Sequence, residues 1–269
     1  MLSIEKLRLN CEFTTDMITD FIQTQVNGAG LNKAIVAVSG GIDSAITLAL
    51  SARALGSDRV RAVTMPERDI TDDRDITDVM ELTRLFDVTC DTVEITGIID
   101  SLKKSLPLYD PSDKISSINI VPRVRMIVSY HYANMLKGMV MGCSNKTELL
   151  TGYFTKYGDG GVDLMPIADL YKCQVRQLAE YLKVPDRILR KAPSAGLWPG
   201  QTDEGELGID YDTLDLIIYG RELKMAPSAI SEELDIAQST VEGFFRRVDA
   251  NEHKRRMPLI LRHRNTLGI

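Results

Sequence analysis

One stretch, Ala34-Ile-Val-Ala-Val-Ser-Gly-Gly-Ile-Asp-Ser-Ala, limits what this chain can fold into more than any other. Its apolar, β-branched start reads as a buried strand, and the helical segment Ser44–Leu55 follows at once, so the chain has to turn within Ser39–Asp43. Gly40 and Gly41 permit that turn and leave no Cβ in the way of a guest. The helix beyond presents unpaired N–H groups and a partial positive charge, so the expected guest is an anion. The stretch has neither the Gly-Lys-Ser/Thr ending of a Walker loop nor a GxGxxG dinucleotide fingerprint. Asp43 would repel a phosphate in such a cradle unless a divalent cation stood between them, which points to magnesium. The plainer alternative is a carboxylate that only favours the helix start.

Further short strands are predicted at Val60–Met65, Thr92–Ile95 and Met139–Gly142, in addition to Ala34–Val38. Helical stretches alternate with them: Thr15–Val26 before the first strand, Ser44–Leu55 stopped by Gly56, and Asp75–Phe86. Such alternation predicts an α/β fold, a doubly wound parallel sheet whose ligand crevice lies at the carboxyl ends of the strands. Ile118–Leu136 is predicted as one long helix with Pro122 in its first turn. It is apolar on more than one side, through Val121, Val124, Ile127, Val128, Tyr132 and Met135, and so is either wholly buried or placed at a subunit interface. Lys191–Gly208 lacks periodicity and is rich in breakers, a loop. Tyr211–Gly220, Ala229–Leu234 and Thr240–Val248 read as helices of a C-terminal appendage. The expected organisation is one domain over 1–269, with a core sheet at about 30–190, a loop at 191–208 and helices over 209–269. The acidic run Asp69–Asp78 reads as a solvated loop and helix start or, alternatively, as a cover over the bound anion, and Trp198 as a loop anchor or a ligand contact.

Composition narrows the function classes. With 44% hydrophobic and 26% charged residues, the 269-residue chain has the balance of a globular protein. Its apolar runs fall short of the roughly 20 residues of a membrane helix, and the charged N-terminus predicts no secretory signal, so a cytoplasmic location is expected. A net charge of −6 argues against a broad nucleic-acid surface and requires local positive residues around any anionic ligand. Cys11, Cys90, Cys143 and Cys173 are too far apart for CxxC chemistry, and with three histidines they form no metal pattern; buried free thiols are expected.

The SGGxDS sequence resembles the ATP pyrophosphatase (PP-loop) families, whose fold is Rossmann-like, of the adenine nucleotide alpha hydrolase type. Met141-Gly-Cys-Ser-Asn-Lys-Thr-Glu, the run Thr151-Gly-Tyr-Phe-Thr-Lys-Tyr-Gly-Asp-Gly-Gly-Val-Asp and the later Glu252-His-Lys-Arg resemble NAD synthetases of the ammonia-dependent type, from about Ser39 to Pro258. The resemblance implies a ligase that amidates deamido-NAD with ammonia, giving NAD, AMP and pyrophosphate through an adenylated intermediate, the last step of NAD biosynthesis. It implies ATP contacts at Ala37, Val38, Ser39, Gly40, Gly41, Ile42, Asp43, Ser44, Cys143, Lys172 and Ser194, and magnesium on Asp43 and Glu148. It places deamido-NAD on Arg123, Lys156, Asp163, His253 and Lys254, with Lys172 and Asp159 in catalytic roles, Asp159 taking a proton from ammonium. Cys143 and Ser194 stand where many relatives have Thr, and Cys143 is the weaker donor. Taken one at a time, Lys156 and Lys172 could equally be solvated charges, Asp159 a turn former and Glu148 a helix-start carboxylate. No glutaminase domain of nitrilase type is present in the sequence, so ammonia is the expected donor, with a separate glutaminase subunit as the alternative; a homodimer without nucleic-acid or membrane partners is also implied. The rivals are another PP-loop synthetase, a nucleotide-sensing module, and a DNA-binding regulator suggested by the helix-turn-helix rhythm of Ala229–Arg247.

Overall fold

Four parallel strands, β1 (Lys33–Ala37), β2 (Val60–Thr64), β3 (Thr89–Thr92) and β4 (Gly138–Met141), form a sheet in the order β3-β2-β1-β4. The computed structural model describes residues 1–68, 70–198 and 200–261, so Asp69 of the acidic run, Pro199 of the expected loop and 262–269 of the expected appendage lie outside the described residues. Around the sheet run α1 (Cys11–Gly28), α2 (Ile42–Leu55), α3 (Asp73–Leu85), α4 (Thr96–Ser105), α5 (Lys114–Ile118), α6 (Ile120–Leu136) and α7 (Lys146–Thr151). Then follow α8 (Lys172–Tyr181), α9 (Asp186–Leu189), α10 (Asp203–Leu207), α11 (Tyr211–Glu222), α12 (Pro227–Leu234), α13 (Gln238–Ala250) and α14 (Glu252–Arg255).

Alternation along β1 explains the two layers of helices. Ala34 and Val36 pack with Ile22 of α1, Ile46 and Leu50 of α2 and Leu178 of α8. Ile35 points the other way, with Val63 and Val140, into a cluster containing Ile99 of α4 and Val124 of α6. Successive strand residues face opposite sides, so a strand covered on both faces must be apolar along its covered length, as Ala34–Ala37 of β1 are. The chain steps from β1 to β2 in one direction and places β4 on the other side of β1. The strand order therefore reverses beside β1, and the crevice at the carboxyl ends opens there. A third apolar cluster, built from Leu214, Ile217, Ile230, Val241 and Phe244 of the C-terminal helices, takes in Tyr171 and Cys173 beside the sheet layer.

The predicted doubly wound parallel sheet is present, with four local corrections. The strand expected at Thr92–Ile95 is paired over Thr89–Thr92. Hydrogen bonds continue past it, from Val93 N–H to Thr64 C=O at 2.9 Å and from Ile95 N–H to Pro66 C=O at 3.0 Å, so the apolar residues are its inward-turning tail. The single helix expected at Ile118–Leu136 is broken at Asn119, which caps both α5 and α6. Pro122 has no N–H for the Ile118 carbonyl and its ring crowds that group, so one continuous helix cannot pass. This helix is not wholly buried either, since Ile127 and Met135 are exposed. The expected loop 191–208 contains α10, started by Thr202, whose hydroxyl accepts from Gly205 N–H, and ended by Gly208 in the left-handed region. Of the four cysteines only Cys173 is fully buried, the others being half-buried.

Candidate active site

The turn after β1 is held by its own hydroxyls. Val38 N–H still donates to Val63 C=O at 3.0 Å, after which Ser39 N–H donates to Ser44 Oγ at 3.3 Å and Ser44 Oγ donates to Gly41 C=O at 2.9 Å. Gly41 is the N-cap of α2, and the first helical hydrogen bond runs from Ala45 N–H to Gly41 C=O, leaving the N–H groups of the first turn at the mouth of the crevice. Gly40 has φ of +76°, and a Cβ on it would stand 2.8 Å from the Asp75 carbonyl of α3. Glycine is thus required there by the close approach of α3 as well as by the turn. At Gly41 a Cβ would meet only Ser39 Oγ, at 3.4 Å.

Three distant segments converge on this turn. Lys172, the first residue of α8, is 1% exposed, and its Nζ lies 2.6 Å from Asp43 Oδ2 and 3.1 Å from Glu148 Oε1. Lys172 is therefore not a solvated surface charge. Burial would lower its pKa, but Asp43 first and Glu148 second overcome this and hold the ammonium above its ordinary value. Glu148 is pushed above the usual carboxylate range by burial, with Lys172 opposing. The helix-start reading of Glu148 holds, and its second oxygen is turned to the cluster. Its Oε2 accepts from Asn145 N–H in the capping box that starts α7, while its Oε1 faces Lys172. Asn145 also donates from Nδ2 to Asp43 Oδ1 at 2.8 Å, fixing the carboxylate's direction. From below, Asp215 of α11 is fully buried, bonds Thr147 and accepts from Cys173 N–H at 2.8 Å, which locks the starts of α7 and α8 together.

A cavity of about 490 Å³ opens above this cluster, within the size range of small-molecule sites. Of the expected nucleotide contacts, Ala37, Ser39, Ile42, Asp43, Ser44, Cys143, Lys172 and Ser194 line it. Cys143 Sγ is 3.8 Å from Ala37 C=O and burial pushes the thiol up to about 12, so it is a neutral, weak donor. Asp159 also lines the cavity, exposed to it rather than buried; its Oδ1 accepts from Thr155 N–H at 2.8 Å, and the desolvating protein around the cavity raises its pKa against the backbone hydrogen bonds that lower it. Lys254 lines the wall too, donating to Gly152 C=O at 2.8 Å and Phe154 C=O at 3.1 Å. Arg123, Lys156 and His253 gather instead on a more exposed rim. Arg123 donates to Lys156 C=O at 3.4 Å, and Lys156 Nζ to His253 C=O at 2.5 Å. Asp163 is tied at the end of β4, accepting from Val140 N–H at 2.8 Å and from Tyr130 Oη at 3.0 Å.

Four cavity or cradle residues escape sequence reasoning. Asn145 lies inside the quoted Ser-Asn-Lys-Thr-Glu run, and its capping spacing to Glu148 was a usable signal. Lys191, at the start of the breaker-rich segment, bonds Asp75 and lies 3.3 Å from Gly40 C=O and 3.5 Å from Asp78. The acidic stretch is accordingly not all solvated: Asp78 is buried and shared with Arg187. Asp203 is 4% exposed in the cavity wall, and Arg125 lines the same cavity, two residues from the exposed Arg123. Trp198 also lines the cavity, with Lys114 Nζ 3.8 Å above its ring.

Comparison with known proteins agrees with this geometry. The sequence pattern of the NAD synthase family matches residues 14–258. An NH(3)-dependent NAD(+) synthetase of Methanosarcina mazei is 41% identical over 250 residues, covering 93% of this chain and 98% of the relative. Among solved structures, the NMN synthetase of Francisella tularensis is 28% identical with a TM-score of 0.83, covering 95% of this chain and 100% of that one. The NH3-dependent NAD synthetase of Campylobacter jejuni is 28% identical with a TM-score of 0.78, covering 94% and 100%. With a glycine turn at a helix start, a carboxylate–lysine cluster beside it and a family pattern matched along most of its length, the chain belongs to the NAD synthase family.

Proposed function

We propose that this chain is a ligase that amidates the nicotinate carboxylate of deamido-NAD with ammonia, using ATP and releasing AMP and pyrophosphate. The observation that carries this is the convergence of Asp43, Glu148 and Lys172 on the phosphate turn at the floor of one cavity. A carboxylate resists attack because it is already anionic, so it must first be converted to a better electrophile. One of its oxygens attacks the α-phosphorus of ATP, the bond from that phosphorus to the bridging oxygen breaks, and pyrophosphate leaves. The resulting acyl adenylate has a carbonyl carbon open to the lone pair of ammonia, and AMP departs with the bonding electrons.

The chain's own groups fit these demands. N–H groups of the Ser39–Ser44 turn hold the triphosphate without adding bulk. Asp43 and Glu148, with side chains 18% and 14% exposed, offer hard oxygens converging on a single cationic point, which suits magnesium. Magnesium held there would neutralise charge on the phosphates. Lys172 adds a fixed positive charge beside the departing pyrophosphate. Asp159, its basicity raised by the desolvating protein around the cavity, accepts a proton from ammonium so that the lone pair becomes available. Ser194 and Trp198, in the expected loop, wall the adenylate from water. Arg123, Lys156 and His253 take the dinucleotide on the rim side, with Lys254 in the cavity wall and Asp163 at the end of β4, and Ala37, Cys143 and Ser194 lie against the nucleotide.

A homodimer and a cytoplasmic location belong to the same proposal. The exposed Ile127 and Met135 of α6 support the first; among the described residues no helix is long and apolar enough to cross a membrane. The α12–α13 pair does not favour DNA, because Arg246 is matched by Glu242 and the exposed Asp249 lies beside it on α13. The test is to incubate the purified chain with ATP, magnesium, ammonium or glutamine, and either deamido-NAD or its mononucleotide counterpart. NAD and AMP formed from deamido-NAD and ammonium are expected; NMN formed in preference to NAD would replace the substrate, and AMP release with neither acid would reject the reading.

A further inference from the structure

Four basic side chains line the cavity, Arg125, Lys172, Lys191 and Lys254, and three of them are answered in place. Lys172 is held by Asp43 and Glu148, Lys191 by Asp75, Asp78 and the Gly40 carbonyl, and Lys254 by the carbonyls of Gly152 and Phe154. The side chain of Arg125 forms no hydrogen bond and no ion pair among the described residues. Burial works against its charge, and the only compensation comes at longer range from Glu67 and Asp159. Oε2 of Glu67 is itself buried and lacks a partner among the described residues. Arg125 is half-buried in the cavity wall; a guanidinium partly removed from water without a partner is unfavourable, and that cost is recovered when an anion of matching shape arrives.

Position decides which anion. Arg125 shares its face of α6 with Pro122, Met126 and Ser129, all in the cavity wall, whereas Arg123 points to the rim because residues two apart on a helix face different ways. The phosphate turn with its free N–H groups forms the opposite group, suited to the triphosphate, and its lysines are already taken up by carboxylates. Arg125 faces Asp159, where ammonia is expected to be released. An acid that must meet both the α-phosphate and ammonia has to lie between these two groups. A planar fork of N–H donors matches a carboxylate with two parallel hydrogen bonds, a fit that a lysine cannot reproduce.

Resting on the amidation proposed above, we infer that the Arg125 guanidinium holds the nicotinate carboxylate of the substrate and is the group by which the site tells the acid substrate from the amide product. The uncharged amide offers one acceptor and no charge, so the contact weakens as the product forms, and release is favoured.

The test measures binding without turnover. Deamido-NAD and NAD are each titrated into wild type, Arg125→Met and Arg125→Lys without ATP, and ATP affinity and melting temperature are measured on the same samples. Wild type should prefer the acid. Arg125→Met should lose about 10- to 100-fold in affinity for deamido-NAD, the range for a charge-assisted pair, while its affinities for NAD and ATP stay unchanged. Arg125→Lys should fall between the two, and carries the test should the methionine variant fail to fold. Equal losses for acid and amide, or acid affinity unchanged in both variants, would overturn the inference. A wild type that makes no NAD from ATP, deamido-NAD and ammonium would refute the amidation instead, which the binding arms separate from the role of Arg125.

Discussion

Replacing Lys172 with Met removes the one positive charge that holds Asp43 and Glu148 together. At an effective dielectric of about 20, each contact contributes roughly 5–6 kcal/mol of gross attraction at the 2.6 and 3.1 Å separations, and much of it offsets the desolvation of the three groups. Removing one partner of a buried ion pair leaves the others uncompensated and costs about 3–5 kcal/mol. For a chain of this size that corresponds to a fall in melting temperature of roughly 6–20 °C. The same reasoning predicts a specific rescue. With the ammonium gone, the two carboxylates form an unneutralised pair, and magnesium added without nucleotide should stabilise the variant by about 2.7 kcal/mol at 100 times its dissociation constant. Wild type, already neutralised by Lys172, should respond far less. Calorimetric melting of both proteins with and without magnesium is the assay. A variant that melts with wild type, or a magnesium response equal in the two, would refute the idea that Lys172 acts as an internal counter-cation at a metal-competent carboxylate pair.

Asp159→Asn should leave pyrophosphate release intact while slowing NAD formation by about 100-fold or more, as for loss of a general base; equal losses in both half-reactions would remove Asp159 from that role. Its pKa is raised in the folded state by the protein around the cavity, so its contribution to stability falls as pH rises from about 4 through its folded pKa, by an amount that its exposure to cavity water keeps small. Denaturant titrations should therefore show the Asn variant gaining on wild type across that window and holding its advantage above it. The two glycines of the turn should separate structure from ligand binding. Gly40→Ala, with φ of +76° and a backbone oxygen 2.8 Å from the new Cβ, should lower the melting temperature. Gly41→Ala should fold normally and lose ATP affinity, because its Cβ meets only Ser39 Oγ at 3.4 Å in the protein; a loss of stability equal to that of Gly40→Ala would contradict this.

Local order was legible because it depends on neighbours in the chain. The apolar β1 run, the glycine turn and the helix stop at Gly56, with φ of +87°, follow from short-range sterics and from a strand covered on both faces. Element boundaries were less legible where register or capping decides them. β3 is placed by its pairing with β2 rather than by its own apolar residues, and α10 depends on a hydroxyl cap inside a segment that otherwise reads as coil.

By itself the sequence determined the alternation of strands and helices, the anion-seeking turn and the family motifs that name the chemistry. Tertiary structure alone decided what each charge is for. Asp43 and Lys172 are 129 residues apart yet in contact, and Arg123 and Arg125, two residues apart, face the rim and the cavity. Electrostatic meaning depends on distance through space and on removal from water, and neither quantity exists until the chain has folded.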